Sequence, residues 1–449
     1  MSVQKRKRKM KRFVRRLVRA GIMIIPILLL VGLSVFLIKG RTPKKAIEKA
    51  QEAVVEQKEQ EEEIVEEQET EPDVIRASIL SAGDIIMHDP LLTSNYYRKS
   101  DGTFDYNSIF QYIRTDYQSA DFTVLNLEST IAEGNYKGYP YFRAPEAIVT
   151  AMAQNHVNAC MLANNHIYDN AETGFRLTME AVANNSLRYL GVRQTTEEKT
   201  YLIEEINGIK IGFFNYVYDS GAQDGANVSI NDIPVSNEIS PLINTFNYGY
   251  LQGLYDDIQN GLEEMKAAGV EYTIAYIHWG AEYQTSENSR QREIAAKLCE
   301  LGIDALVGGH PHVVQPVDLL TNASGDHQMV CVYSMGNHLS NQYQERMDSC
   351  PTGHTEDGLM VKLVLEKEED KISLVEANFI PTWVYRTKGE PEDGNPEYFI
   401  LPLDDPEQLV KDVARLNIAS DVQTSLNRTN TIIGAGVTKI QNALPIVVK

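Results

Sequence analysis

Five polar clusters in this 449-residue chain each follow an apolar, strand-like run, and their residue types are those that bind metal ions. Ile79 to Gly83 leads to Asp84, and Phe122 to Leu125 leads to Asn126 and Glu128. Ala159 to Ala163 leads to Asn164, Asn165 and His166, and Tyr272 to Ile277 leads to His278. Ile303 to Gly308 leads to Gly309-His310-Pro311-His312. Sites in open α/β sheets form beyond the carboxyl ends of strands, so the five clusters are expected to converge. Carboxylate, amide and imidazole together suit Mn, Zn or Fe better than Ca or Mg. One or two such divalent ions activate water and polarise a scissile bond, which points to hydrolysis of an amide or a phosphoester. Two histidines at i, i+2 after a buried strand are costly without a purpose, because each ring nitrogen needs a partner. His166 is the expected proton donor to the leaving group, with Asp169 three residues on to hold its other nitrogen.

Other chemistries lack their motifs. There is no GxxxxGK[ST] phosphate loop, no GxSxG nucleophile turn and no CxxC pair. Cys160 and Cys299 sit in apolar contexts and read as buried small side chains, while Cys331 and Cys350 are free to pair or not. Among the other histidines, His156 and His327 read as surface residues and His354 as a loop residue without a role. His88 and His338 lie near the expected cleft.

The elements that must position these residues follow from hydrophobic periodicity. Strand-like runs alternate with helical spacing at 145–155, 172–185, 250–268 and 288–301, the last closed by Gly302, which suits a helix C-terminus. That alternation predicts an α/β domain over 75–401 with helices covering a sheet. Later strand-like runs at 329–333, 359–365 and 372–380 lack intervening helices and suggest a second, more antiparallel layer. Residues 216–248, rich in Gly, Asn, Asp, Ser and Pro, are long for a connection and suit a lid or binding loop. A tail from 402 to 449 reads as helical to Asn417 and then Thr- and Asn-rich.

Charge is sharply segregated. The first 45 residues hold 14 of the 42 Lys and Arg and no acid, leaving 28 basic against 62 acidic residues beyond them. Such a surface repels nucleic acid, which is not an expected partner. Residues 20–38 form 19 uncharged, mostly apolar positions, close to the ~20 that cross a bilayer. The basic segment 1–19 before them places the N-terminus in the cytoplasm by the positive-inside rule. A single-pass signal-anchor in the cell membrane is expected, with an acidic stalk over 39–74 and the main domain outside the cell.

The ordered motifs Gly83-Asp84, Asn126-Leu127-Glu128, Phe142-Arg143-Ala144-Pro145, Asn164-Asn165-His166-x-x-Asp169, His278-Trp279-Gly280-x-Glu282-Tyr283, Gly309-His310-Pro311-His312-Val313-x-Gln315 and Ser334-Met335-Gly336-Asn337 resemble the CapA (PgsA-type) family of capsule-synthesis proteins, linked to poly-γ-glutamate. The likeness covers roughly 77 to 385. That family is similar in turn to calcineurin-like metallophosphoesterases, which implies an α/β, metallophosphatase-like β-sandwich flanked by helices with metals at its edge. By that resemblance Asp84, Glu128, Asn165, His278, His310 and His312 are metal ligands and His166 and Asp169 catalytic. Arg143, Glu282, Tyr283 and Asn337 then face substrate, with Arg143 suited to hold a carboxylate or phosphate bidentately. Ile86 stands where the phosphoesterase pattern has a histidine, and Glu128 replaces an aspartate, so the first metal position is short of a ligand unless His88 or water fills it. The expected role is assistance in capsule or poly-γ-glutamate synthesis or export, with an anionic polymer or wall-associated substrate and capsule polymer synthase subunits as partners. Two other readings are an extracellular metal-dependent phosphoesterase and a non-catalytic polymer-assembly subunit.

Overall fold

The computed structural model describes residues 74–221, 227–387 and 396–448. The expected membrane span, basic segment and stalk lie outside them. Among the described residues, no helix is long and apolar enough to cross a membrane.

Two mixed sheets are stacked face to face. The first begins with β1 (Ile75–Ile85), β2 (Phe122–Leu127), β3 (Ala159–Met161) and β4 (Arg188–Leu190), all parallel neighbours. The chain then crosses to a second sheet through β5 (Tyr201–Ile206) and β6 (Ile209–Tyr218). A small ribbon, β7 (Ser229–Ile230) with β8 (Ile233–Pro234), precedes β9 (Thr245–Phe246), which pairs with β6. β10 (Tyr272–His278), β11 (Ala305–Gly309), β12 (Val317–Thr321) and β13 (Gln328–Val332) complete that sheet in the order β12-β13-β11-β10-β6-β5. β14 (Asn337–Leu339) returns to lie parallel to β1. The long strands β15 (Asp357–Glu368) and β16 (Lys371–Arg386), followed by β17 (Tyr398–Pro402) and β18 (Ile446–Val447), extend the first sheet antiparallel from β1.

The period of two along each strand explains the layering. In β6, Ile209, Ile211 and Phe213 point inward to meet Ile79, Val124, Leu363 and Leu365 of the first sheet. The alternate residues Phe214 and Tyr216 point outward. There they are covered by α5 (Leu251–Ala267) and α6 (Ser289–Leu301), whose apolar faces carry Leu254, Ile258, Ile294 and Leu298. The outer face of the first sheet, with Leu80, Ala82, Leu125 and Cys160, packs on α3 (Ala147–Gln154) and α4 (Ala171–Asn184). The short helices α1 (Asp89–Thr93) and α2 (Arg114–Gln118) flank that layer. The result is a helix–sheet–sheet–helix sandwich, the architecture the resemblance implies. Strands buried on both faces read as near-continuous apolar runs, which is why they are conspicuous in the sequence.

Helix limits fall within two residues of the four expected ones. Asn288 caps α6 with a reciprocal Gln291 capping box, and Gly302 ends it in the left-handed conformation at φ 97°. Three expectations need correcting. The strand-like runs after residue 329 form no second antiparallel layer: β13 runs parallel to β11, and β15 and β16 extend the first sheet. The segment 216–248 carries strands β7 to β9 around residues that lie partly outside those described. The stretch after 402 forms α7 (Pro406–Asp412) and the 25-residue α8 (Ala419–Ala443). Ile433 and Ile440 of α8 join the core between the sheets. Arg428 forks onto the buried Asp357 carboxylate at 2.6 and 2.7 Å.

Candidate metal centre

The five strand-end clusters meet at one edge of the sandwich. β1, β2 and β3 bring Asp84, Glu128 and Asn165 from the first sheet, and β10 and β11 bring His278, His310 and His312 from the second. All six are buried. Ligand atoms of Glu128, His278 and His310 lie within 4.8 Å of one another, as do those of Asp84, Glu128 and His312 and those of Glu282, His310 and His312. Glu282, expected to face substrate, therefore stands among the candidate ligands. His88 is in none of these groups; its Nδ1 accepts a hydrogen bond from the Asn341 backbone at 3.1 Å. Ile86 is packed in the core beside it.

Local chain geometry sets these positions. Gly83 passes so close to β14 that a Cβ would lie 1.9 Å from the Gly336 oxygen. That approach lets the Asp84 amide donate to the same oxygen at 3.1 Å. His310 and His312 adopt φ of 96° and 58°, a left-handed backbone that non-glycine residues avoid at a cost of roughly 1–3 kcal/mol each. Such strain concentrates at functional sites, and here it turns both imidazoles inward from one short loop.

The polar network shows what is satisfied and what is not. Asn126 Nδ2 donates to Asp84 Oδ1 at 2.7 Å and to Glu128 Oε2 at 3.2 Å, holding two carboxylates side by side. His312 Nδ1 lies 3.1 Å from Asp84 Oδ2, and His278 Nε2 lies 2.7 Å from Asn165 Oδ1. Glu128 Oε1 and His310 Nδ1 are buried without hydrogen-bond partners among the described residues. Burial, and then the charge of Asp84, push the Glu128 carboxyl far above its ordinary range. Burial lowers His278 to about 3 and His310 well below its usual value, so both rings are neutral. For Asp84 and His312, burial is the largest single influence on each, but their mutual hydrogen bond and the surrounding opposite charges together outweigh it, lowering Asp84 and raising His312.

This donor set fits a divalent cation. Neutral imidazoles are the ligating form, Glu128 Oε1 and His310 Nδ1 lack a hydrogen-bond partner although Glu128 Oε1 lies 3.5 Å from His278 Nε2, and a cation would let Glu128 ionise beside Asp84. His166 lies alongside, with Nδ1 at 2.7 Å from Asp169 Oδ2 and its ring edge-on to Phe142 at 4.6 Å. Asp169 Oδ2 also accepts from the Phe142 amide at 2.7 Å. Asp169 thus orients the ring and leaves Nε2 for proton transfer.

The remaining expected residues take different places. Arg143 binds Asn170 Oδ1 through Nε at 2.8 Å, and its terminal nitrogens have no hydrogen-bond partner among the described residues. Tyr283, at φ 63°, tilts its ring 6.0 Å from that of His312. Asn337, expected to face substrate, is fully buried; its amide donates to Gln342 and Thr355 at 2.8 Å. His338 is a core residue bonded to the Tyr117 hydroxyl at 2.5 Å, and all four cysteines are free and buried. Asn126, expected in the strand-end cluster but given no role of its own, proves to bridge the two carboxylates. One contributor escaped the sequence reading. Tyr218, whose ring lies 4.9 Å from that of His310, had only its place at the end of β6.

A family model described as bacterial capsule synthesis protein PGA_cap matches residues 78–342, a stretch that contains every candidate site residue above. The chain is 26% identical over 303 residues to the PGA biosynthesis protein CapA of Bacillus subtilis (strain 168), covering 66% of this chain and 69% of that one. It is 24% identical over 278 residues to the capsule biosynthesis protein CapA of Bacillus anthracis, covering 60% of each. Among solved structures, the calcineurin-like phosphoesterase YfkN of Bacillus subtilis aligns at 16% identity with a TM-score of 0.39, over 78% of this chain and 99% of that one. A score that low assigns no fold, and the sandwich rests on its own strands.

Proposed function

Because the chain belongs to the bacterial capsule synthesis protein family PGA_cap, we propose that it assists synthesis or export of a capsule polymer, poly-γ-glutamate, through a metal-dependent hydrolase-type site. The names of its CapA relatives support the polymer. The observation that carries the hydrolase reading is the convergence of Asp84, Glu128, His278, His310 and His312, with ligand atoms of Glu128 and His310 left unpaired. These residues, with Asn165 and Glu282 beside them, would hold one or two divalent ions, of which Mn, Zn and Fe suit the donors best. When bound, a divalent cation supplies Lewis-acid polarisation of a scissile carbonyl or phosphoryl group.

The chain's own groups do the rest. Asp169 keeps the His166 Nδ1 proton engaged, so Nε2 is the atom that hands a proton to the leaving group. Phe142 shields that imidazole from bulk water on one face. The free end of the Arg143 guanidinium receives a substrate carboxylate or phosphate, and Tyr283 lines the cleft beside His312. The domain is placed outside the cell, anchored through 20–38 with the N-terminus in the cytoplasm, where capsule synthase subunits are its natural partners. The segregation of positive charge into the first 45 residues supports this placement.

The test is the purified full-length chain, loaded with Mn or Zn and given poly-γ-glutamate or a chromogenic phosphoester. The reading predicts shortening of the polymer that collapses in His166→Gln. Cleavage of the phosphoester with the polymer untouched would instead favour an extracellular phosphoesterase.

A further inference from the structure

One loop beside the site is built in a way the catalytic reading does not use. Lys137 and Arg143 exchange both backbone hydrogen bonds, at 3.1 and 2.9 Å, to close a hairpin over 137–143. Its base is tied to the catalytic dyad, since Phe142 donates to Asp169 at 2.7 Å and Arg143 to Asn170 at 2.8 Å. Beside the closing pair, the Gly138 amide donates to Asp89 of α1 at 2.6 Å. Above this pinned base, and just before it, the chain turns tyrosines outward. Tyr136, Tyr139 and Tyr141 are 38%, 75% and 40% exposed, three of the seven large apolar residues exposed among the described residues. Lys137 Nζ sits 5.4 Å above the Tyr141 ring. The hydrogen bonds to Asp169 and Asn170 set this aromatic stretch beside the His166–Asp169 pair.

We infer that this hairpin is the binding platform for the anionic γ-glutamyl chain, with Tyr136, Tyr139 and Tyr141 stacking on its amide planes and Lys137 and Arg143 meeting its carboxylates. The inference rests on the proposed site and extends it from a single bond to a stretch of polymer. Two features favour this occupant. Rigid tyrosines give contact area at small entropic cost. The two cations stand out on a chain of formal charge −20, which would otherwise repel a polyanion. A neutral glycan would use the rings but not the cations.

The experiment is fluorescence anisotropy or calorimetry on the full-length chain with long poly-γ-glutamate and with γ-glutamylglutamate, comparing wild type, Tyr139→Ala/Tyr141→Ala and Lys137→Gln. Far-UV circular dichroism verifies that the variants fold. Wild type should prefer the long polymer, and the double variant should bind it about tenfold or more weakly, as expected for two aromatic contacts. Unchanged affinity in both variants overturns the inference. Equal, tyrosine-dependent binding of a polyphosphate wall polymer overturns the assigned occupant. Hairpin-dependent binding of poly-γ-glutamate by a protein that takes up no metal supports the platform and sinks the hydrolase reading instead.

Discussion

Replacing Gly83 by alanine tests how the site is held together. The new Cβ would lie 1.9 Å from the Gly336 oxygen and 3.0 Å from its carbonyl carbon. The ordinary closest carbon–oxygen approach is about 3.3 Å, so β1 and β14 must part by more than an ångström. That separation breaks the Asp84 amide bond to Gly336, 3.1 Å long in the native chain. A buried backbone group left unpaired costs about 1–3 kcal/mol, and forced overpacking a further ~1–3 kcal/mol. The stiffer unfolded chain returns only about 0.4–1 kcal/mol. The net expectation is a loss of about 3 kcal/mol, read as a lower urea midpoint with an unchanged slope. The same shift drags Asp84 away from His312, whose Nδ1 is 3.1 Å from its carboxylate. Metal affinity, measured by competition with a chromogenic chelator, should therefore fall together with stability. A Gly83→Ala protein with the native midpoint and native affinity would refute the claim that the contact between β1 and β14 sets the position of Asp84.

Four further expectations follow from the structure. In α8, Gly434 has open space where its Cβ would point, whereas a Cβ on Gly436 would lie 1.6 Å from the Val317 oxygen. Gly434→Ala should stabilise by roughly 0.5–1 kcal/mol through helix propensity, and Gly436→Ala should destabilise; thermal melts of both check the sign. Burial and Asp84 hold the Glu128 carboxyl protonated well above the ordinary 4.5, so the unfolded chain loses that proton first and metal-free stability declines as pH rises above about 4.5. Glu128→Gln should remove this decline, melting above the native protein at pH 8 in chelator, yet gain nothing from added metal, which stabilises the native chain by about 2.7 kcal/mol at a hundredfold excess over Kd. On the acid side, burial lowers His88, His278 and His338 to about 3. Below about pH 6.5 the unfolded chain takes up protons that the fold refuses, and stability should fall steadily towards pH 3 in a pH series of urea midpoints. Finally, Asp169→Asn should lower turnover by about a hundredfold or more by releasing the His166 ring, with metal content unchanged by elemental analysis; native turnover would remove Asp169 from the mechanism.

Much of this was legible before any coordinates. Strand-end clusters stand out because strands buried on both faces are uninterrupted apolar runs, so the first polar residue after each marks the rim. The α6 helix announces itself through Asn288 and Gly302, residues whose backbone preferences end helices. What sequence patterning does not carry is which sheet a strand joins. Nothing in Met329 to Tyr333 distinguishes pairing with β11 from pairing with β15, because that choice is made by packing across the sandwich. Side-chain roles across distant segments were hidden for the same reason. Nothing around Asn337 in the sequence shows that its amide is held by Gln342 and Thr355. The helix α8 was obscured by its threonines and asparagines, which have low helix propensity. Its buried positions Val422, Ser425, Thr429, Ile433 and Ile440 nevertheless keep helical spacing, and tertiary contact with β12 and β16 supplies what propensity lacks.

The most direct measurement is a crystal of the chain grown with Mn or Zn, with anomalous scattering collected at the metal edge. The account predicts a peak at the sandwich edge, ringed by Asp84, Glu128, His278, His310 and His312. A fully folded, metal-soaked crystal with no anomalous density among those five side chains would contradict it.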